Sequence, residues 1–219
     1  MPKQTLISAS MGKALMTKGR GKDAEYGATF YSEIVDVVSA GFFGYDITPD
    51  LSHMEAIQRG LEHEWLAVDA YQEERLCKVD FTGDDQRFVI SADYPWLGAT
   101  PDGLVGAEGL LEVKNPNSKN HWRNLVRNDQ LDDYYTQLQI QLLATGRQWV
   151  DWVSYDDDCP IAELKLHIVR VERDLAVMSE IVERSRFAMI EAVQLALKVA
   201  DAKKIKLTLP DWVAEKGLI

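Results

Sequence analysis

The chain has 219 residues, of which 46% are hydrophobic, and its 35 acidic and 24 basic side chains give a net charge of −11. The hydrophobic share is typical of a soluble globule, and the length suits one domain over residues 1–219, with two small domains as the alternative. Two cysteines without a metal or disulfide pattern, no signal peptide and no long apolar span exclude a disulfide-rich secreted scaffold and a membrane-spanning protein. These features predict a cytoplasmic setting. The acidic charge argues against a nucleic-acid partner but does not exclude one, because an enzyme that holds phosphates locally and through Mg²⁺ can be acidic elsewhere.

The first 25 residues form a basic stretch that includes Lys3. A Ser-Ala-Ser sequence at residues 8–10 predicts the start of a short helix. A serine at a helix N-terminus usually caps free backbone N–H groups, and those groups can also hold a phosphate. We expect the cap and keep phosphate binding as the alternative for Ser10.

Two helices are predicted next, over residues 28–39 and 52–74, because their apolar residues recur three or four positions apart. In the second helix, Glu64 borders the apolar stripe instead of the solvent face. A carboxylate in that position needs a partner, which can be a metal ion, a lysine or an ordinary salt bridge.

The central stretch covers residues 98–114 and follows a predicted strand at residues 88–92. It begins with a Pro-Asp-Gly corner and ends in a run where apolar and charged residues alternate, as in a half-buried strand. Strand alternation places Glu112 and Lys114 on one face, and a hairpin through the glycine-rich connection brings Asp102 back beside Glu112. Two carboxylates with open positions suit Mg²⁺, and a lysine beside them can orient or deprotonate a water.

A second Glu-x-Lys sequence in the chain weakens this argument as long as the argument rests on the spacing alone. Glu163 and Lys165 are also two residues apart, with three aspartates just upstream. We expect this second pair to be a salt-bridged strand edge, and the same interpretation is the alternative for Glu112 and Lys114.

The remaining pattern predicts a helix over residues 131–145, strands over residues 149–155 and 164–171, and a long helix over residues 175–200. On the first of these helices, Tyr134, Gln137 and Gln141 share a face next to the core face. The order of elements predicts an α+β fold, with a central mixed β-sheet flanked by helices.

Five motifs occur together in one order along the chain. They are Ser-Ala-Ser at residues 8–10, Gly60-x-x-x-Glu64, Pro101-Asp102-Gly103, Leu111-Glu112-Val113-Lys114 and Tyr134-x-x-Gln137-x-Gln139. With these motifs the chain resembles the PD-(D/E)xK nuclease superfamily, and within it the phage lambda exonuclease type, the YqaJ-like viral recombinases. The resemblance implies the restriction-endonuclease-like core of that superfamily.

The resemblance also implies an activity and partners. It implies a phage or prophage 5′→3′ exonuclease, dependent on Mg²⁺ with Mn²⁺ as a substitute and with one or two ions per site. Such an enzyme degrades one strand of linear double-stranded DNA to mononucleotides and leaves a 3′ overhang for recombination. A homotrimeric ring around DNA and a single-strand annealing protein as partner are implied as well.

Carried over residue by residue, the resemblance assigns metal binding to Asp102, Glu112 and the main-chain carbonyl of Val113. It implies that Lys114 activates the attacking water, that Glu64 assists the metal-bound water and that Gln137 supports the lysine.

Further residues are implied to contact the DNA. Ser10 matches a serine that binds the 5′-phosphate, Lys3 stands where the family has an arginine, and Ile57 matches the residue that separates the end base pair. Tyr134 belongs to the same DNA-binding set. Lysine keeps the charge of arginine but lacks its bidentate geometry.

Two other classes of function stay open at this point. One is a different nuclease of the superfamily, such as an endonuclease or a junction resolvase. The other is a DNA- or partner-binding module whose acidic cluster is only structural.

Overall fold

A computed structural model describes residues 6–19, 26–45, 47 and 54–219, and it describes no side chains for residues 55–62. The centre of the fold is a five-stranded sheet in the order β2-β5-β6-β7-β8. Its strands are β2 (Val79–Asp80), β5 (Gly103–Val105), β6 (Gly109–Lys114), β7 (Trp149–Tyr155) and β8 (Leu166–Glu172). Strands β6 and β7 are parallel and the other pairs are antiparallel, so the sheet is mixed, as the sequence predicts.

Helices cover both faces of this sheet, because the buried strand β6 is apolar on one face and partly apolar on the other. On one face, Leu111 and Val113 pack against Val68 and Tyr71 of helix α3 (Glu55–Arg75). On the other face, Leu110 packs with residues of helix α5 (Leu131–Thr145). The site residues on β6 therefore face α5, which positions its side chains over them.

The largest apolar core lies beside the main sheet, around a second sheet of three strands in the order β1-β4-β3. These strands are β1 (Ile7–Ser8), β3 (Val89–Ile90) and β4 (Leu97–Ala99). The core is completed by the helices α1 (Gly12–Met16), α2 (Ala28–Asp36), α6 (Leu175–Lys203) and α7 (Asp211–Glu215). Helix α5 packs against both sheets, and so it connects the core around the second sheet with the apolar layer on the main sheet.

Most predicted elements are present, and the ends of several differ from the prediction. Helix α5 has the predicted bounds, because Gly146 adopts a left-handed conformation with φ 72° and ends it. Helix α2 continues into a π-helix, Val37–Phe42, and α6 runs to Lys203. The predicted start of the helix at residue 52 lies outside the described residues.

Two predictions about local structure were wrong. The strand predicted over residues 164–171 begins only at β8, because Ala162–Leu164 forms a 3₁₀ helix. The predicted serine cap is absent: the side chain of Ser8, the N-cap residue of the 3₁₀ helix Ala9–Met11, makes no capping hydrogen bond, and its Oγ lies 2.8 Å from Ser10 Oγ. Helix α4 (Ser118–Arg127), which begins at the N-cap Asn117, was not predicted.

Candidate active site

The hairpin of β5 and β6 brings the Pro-Asp-Gly corner back to the end of β6. The register pairs Gly103 with Leu111, and the Asp102 N–H donates to the Leu111 carbonyl at 3.1 Å. The Val113 N–H donates to Asp102 Oδ2 at 2.7 Å, which orients this carboxylate toward β6. A Cβ on Gly103 would lie 2.3 Å from Val79 Cγ1, so the corner requires glycine to pack against β2.

The Glu112 carboxylate is buried at the centre of the site, where its residue is only 1% exposed. Its Oε1 accepts hydrogen bonds from Lys114 Nζ at 2.5 Å and from Gln137 Nε2 at 2.6 Å. Its Oε2 accepts from Gln141 Nε2 at 2.6 Å. Helix α5 supplies both glutamines, because residues four apart on a helix share a face.

Lys114 is held between a carboxylate and an aromatic ring. Its Nζ lies 4.7 Å from the centre of the Tyr134 ring, in addition to its contact with Glu112. Burial acts to lower the pKa of the Lys114 ammonium, but the charges of Glu112 and Asp102 outweigh burial, so this pKa is raised. As long as no cation offsets the charges of these two carboxylates, Lys114 is therefore a protonated ammonium group.

Glu64 of α3 completes the acidic side of the site. Gln86 Nε2 donates to Glu64 Oε1 at 2.7 Å. Burial and then the charge of Glu112 raise the pKa of the Glu64 carboxyl, while Lys114, the Gly83 N–H and Gln86 act in the opposite direction. Glu64 is thus close enough to interact electrostatically with both Glu112 and Lys114.

The Asp102 carboxyl, like that of Glu64, is partly buried close to other negative charges. Burial and then the charge of Glu112 raise the pKa of the Asp102 carboxyl well above its usual range, and Glu64 adds to the effect. Lys114 and the Val113 N–H offset this only in part. Three carboxylates against one ammonium leave an excess of negative charge, and oxygen ligands of this kind fit a divalent cation.

The structure thus brings Glu64, Asp102, Glu112, Lys114 and Gln137 together as one cluster. The hydrogen bond from Gln137 goes to Glu112, which in turn contacts the lysine, and Tyr134 lies against that lysine.

The residues predicted to bind DNA lie partly outside the described part of the chain. Ser10 is exposed, next to Ser8 in the 3₁₀ helix Ala9–Met11. Lys3 is outside the described residues, and so is the side chain of Ile57.

The second Glu-x-Lys sequence does not form a comparable pair. Glu163 is exposed in the 3₁₀ helix Ala162–Leu164, and Lys165 Nζ donates to the Asp157 carbonyl at 2.7 Å. The carboxylates of the three neighbouring residues Asp156, Asp157 and Asp158 lie within 4.8 Å of one another, and His63 Nδ1 lies 2.9 Å from Asp157 Oδ2. Our expectation of a salt-bridged strand edge was therefore wrong in its geometry, because this segment is a turn.

Sequence reasoning missed two contributors to the site and one neighbouring helix. Gln141 was predicted to share a face of α5 with Gln137, and either to orient a water, to contact a nucleic-acid backbone or to be merely exposed, but its bond to Glu112, as short as that of Gln137, was not predicted. Gln86 lies in a turn, where no periodicity indicates its contact with Glu64. The basic helix α4 had a usable signal, since no acidic residue occurs between Lys114 and Asn128.

A mixed sheet flanked by helices, with two carboxylates and a lysine at the Pro-Asp-Gly corner and on β6, defines a nuclease core of the PD-(D/E)xK type. The YqaJ-like viral recombinase domain matches residues 6–148, and the chain belongs to that family. No curated protein matches this chain. None of the helices in the described part of the chain is both long and apolar enough to cross a membrane.

Three solved structures are similar over most of both chains. The alkaline exonuclease LHK-Exo from Laribacter hongkongensis is 30% identical, with a TM-score of 0.77, and the match covers 92% of this chain and 95% of that one. LHK-Exo in complex with dAMP is 28% identical, with a TM-score of 0.78 and coverage of 91% and 94%. A phage-related exonuclease from Haemophilus somnus 129PT shares the fold, with 16% identity, a TM-score of 0.69 and coverage of 89% and 96%. Family membership and the two LHK-Exo structures support an exonuclease role on DNA.

Proposed function

We propose that this protein is a 5′→3′ exonuclease that degrades one strand of linear double-stranded DNA and depends on Mg²⁺, with Mn²⁺ as a substitute. The observation that carries the proposal is the Glu112 carboxylate, buried beside Asp102 and bound by Lys114 at 2.5 Å. The similar structure of LHK-Exo was solved with dAMP, a mononucleotide, which supports mononucleotides as the product.

In this proposal Asp102, Glu112 and the main-chain carbonyl of Val113 hold one or two metal ions. A bound divalent cation would polarise the scissile phosphate and stabilise the charge that develops on it. The arrangement fits this role because burial and the charge of Glu112 raise the pKa of the Asp102 carboxyl, and a bound cation would offset the cost of ionising it. The Val113 N–H and the two glutamines of α5 keep both carboxylates in place.

Lys114 orients the attacking water and accepts its proton. The charges that raise the pKa of Lys114 belong to Glu112 and Asp102, so compensation of those charges lowers this pKa toward that of a useful base. Tyr134 limits the rotation of the lysine, Glu64 would assist the water held by the metal, and Gln137 supports Lys114 by keeping Glu112 oriented toward it.

The DNA end is held outside this cluster. Ser10 and Lys3 bind the 5′-phosphate, and Ile57 separates the terminal base pair before the strand enters the site. The exposed position of Ser10 on the helical turn after β1 leaves its hydroxyl accessible to a phosphate.

We further propose that residues 1–219 form a single domain and that three copies close into a ring around the duplex. A ring explains how a protein with a net charge of −11 stays on DNA, because topology replaces long-range attraction. The 3′ overhang passes to a single-strand annealing protein in the cytoplasm of the bacterial host.

A paired substitution tests the proposed site. We expect Glu112→Ala to abolish Mg²⁺-dependent digestion of linear duplex DNA, because it removes a metal ligand, while Glu163→Ala stays within a few-fold of the wild type. Release of labelled mononucleotides is measured, with a circular plasmid as control substrate. Equal loss in both folded variants would contradict the site, and cleavage of the intact plasmid would contradict exonuclease action.

A further inference from the structure

Helix α4 presents a basic and aromatic face to solvent, directly after the strand that carries Lys114. Lys119, Arg123 and Arg127 are exposed and four residues apart, so they form one stripe with about 6 Å of rise between neighbours. Trp122 and Val126, 47% and 71% exposed, lie next to the stripe. We call these five residues the α4 face.

The charge of the α4 face is unusual in this protein. The segment between Lys114 and Asn128 contains no acidic residue, although the whole chain has a net charge of −11, and acidic residues resume at Asp129. Some cations elsewhere are compensated, as in the pairs of Lys78 with Asp80 and of Arg170 with Asp151. Within the described ranges, none of the three cations of the α4 face forms an ion pair, so their charge is available to an external anion.

The opposite side of α4 is fastened to the sheet. Ser154 Oγ donates to His121 Nδ1 at 2.9 Å and accepts from Asn124 Nδ2 at 2.9 Å. His121 Nε2 lies 2.8 Å from the Leu164 carbonyl, so it carries the proton and donates there. Ser154 pairs with Lys114 in the register of β6 and β7. The α4 face is therefore held rigidly and begins only a few residues from the proposed catalytic lysine.

We infer that the α4 face binds single-stranded DNA, as a track for the strand that the proposed exonuclease leaves behind. That the bound strand is the one left after digestion rests on the proposed function. That a single strand binds at all rests on the residues of the α4 face. Phosphates complement the three cations, while the indole of Trp122 offers a surface on which an unpaired base can stack. A paired base is already stacked within the duplex, so the exposed indole favours a single strand as the ligand.

Binding is measured without metal, so that it does not depend on cleavage. The anisotropy of a labelled oligothymidine is titrated with full-length protein in EDTA at several salt concentrations. We expect Trp122→Ala to weaken binding roughly tenfold or more, the scale of one lost base stack, and Trp122→Phe to restore most of it. Removal of the three cations in K119A/R123A/R127A is expected to lower the slope of log affinity against log salt by about 2, since single strands give about 0.7 per contact.

A charge-matched control separates this track from general electrostatic attraction. Lys198, Lys203 and Lys206 are exposed on and just after the last turns of α6, and K198A/K203A/K206A changes the net charge by the same amount. This control is expected to keep the wild-type affinity and slope. Equal losses in both triple variants, or wild-type binding by Trp122→Ala, would overturn the inference.

A triple variant of α4 that becomes monomeric in light scattering while keeping its affinity for the oligonucleotide would assign the α4 face to subunit contact instead. In each case digestion by the wild type remains a separate measurement of the proposed function.

Discussion

Gln141 provides the sharpest test of how α5 supports the metal ligands. Its Nε2 donates to Glu112 Oε2 at 2.6 Å, and its residue is fully buried. Its Oε1 has no hydrogen-bond partner within the described part of the chain. The substitution Gln141→Leu keeps a side chain of similar size and removes both polar atoms.

The expected effects on stability and on metal binding differ in size. A hydrogen bond to a charged group contributes about 1.5–3 kcal/mol, but removal of the unpaired buried Oε1 recovers about 1–3 kcal/mol, so the two changes nearly cancel. The free energy of unfolding should therefore change by only about 1 kcal/mol. Loss of an outer partner of a metal ligand typically weakens metal affinity by about 10- to 100-fold. We expect the Mg²⁺ concentration at half-maximal activity to rise by that factor, with most of the maximal rate recovered at saturating Mg²⁺.

Gln139 offers a matched control two residues earlier on the same helix. It is equally buried, but its Nε2 donates to the Glu172 carbonyl at 2.8 Å and its Oε1 accepts from the Asp174 N–H at 2.9 Å. Gln139→Leu leaves two backbone groups unpaired, which costs about 2–6 kcal/mol and lowers Tm by about 4–24 °C. Its Mg²⁺ requirement should stay at the wild-type value.

The assay is single-turnover digestion of a linear duplex across a Mg²⁺ titration, with a thermal melt of each variant. Our reasoning fails if Gln141→Leu keeps the wild-type Mg²⁺ requirement, or if Gln139→Leu shifts it as much. The two variants are expected to show opposite profiles, one in metal dependence and the other in stability.

Three further outcomes are expected. Lys114→Ala keeps both carboxylates, so DNA and Mg²⁺ should still bind while single-turnover cleavage slows by roughly 10² or more, and near wild-type turnover would make the lysine structural. We expect a closed homotrimer whose pore walls are less acidic than its exterior. Light scattering should give the mass of three chains, and a monomer at working concentration would exclude the ring. Duplexes with a 5′-phosphate should be digested faster than those with a 5′-hydroxyl, and rising salt should weaken this preference. Lys3→Ala should remove the preference without changing the Mg²⁺ requirement, and Lys3→Arg should keep or strengthen it. Equal wild-type rates from both ends at low salt would exclude the phosphate pocket.

Local periodicity explains which parts of the site could be predicted from the sequence. The alternation in β6 places Glu112 and Lys114 on one face, and they are 2.5 Å apart at their nearest polar atoms. The four-residue spacing on α5 places Gln137 and Gln141 on one face, where both bind Glu112. Which side chains share a face depends only on the geometry of a single strand or helix, whereas the contact of α5 with Glu112 depends on packing.

Contacts between elements depend on the tertiary structure, because the period of one element does not specify its neighbour. The bond from Gln86 to Glu64 joins a turn to a helix, and nothing in either segment indicates it. The similar sequences around Glu112 and Glu163 adopt different structures: Glu112 lies on a buried strand under α5, and Glu163 lies in an exposed 3₁₀ helix.

The sequence by itself determined the family, the mixed sheet with its flanking helices, and the residue types of the candidate site, because these follow from motif order and periodicity. The tertiary structure alone decided that Glu112 is buried with three donors around its carboxylate, since burial is a property of the packed layers. It also decided that α4 faces outward with its cations, because His121 and Asn124 turn inward to Ser154. A helical period separates two faces of a helix, but only packing determines which of them meets solvent.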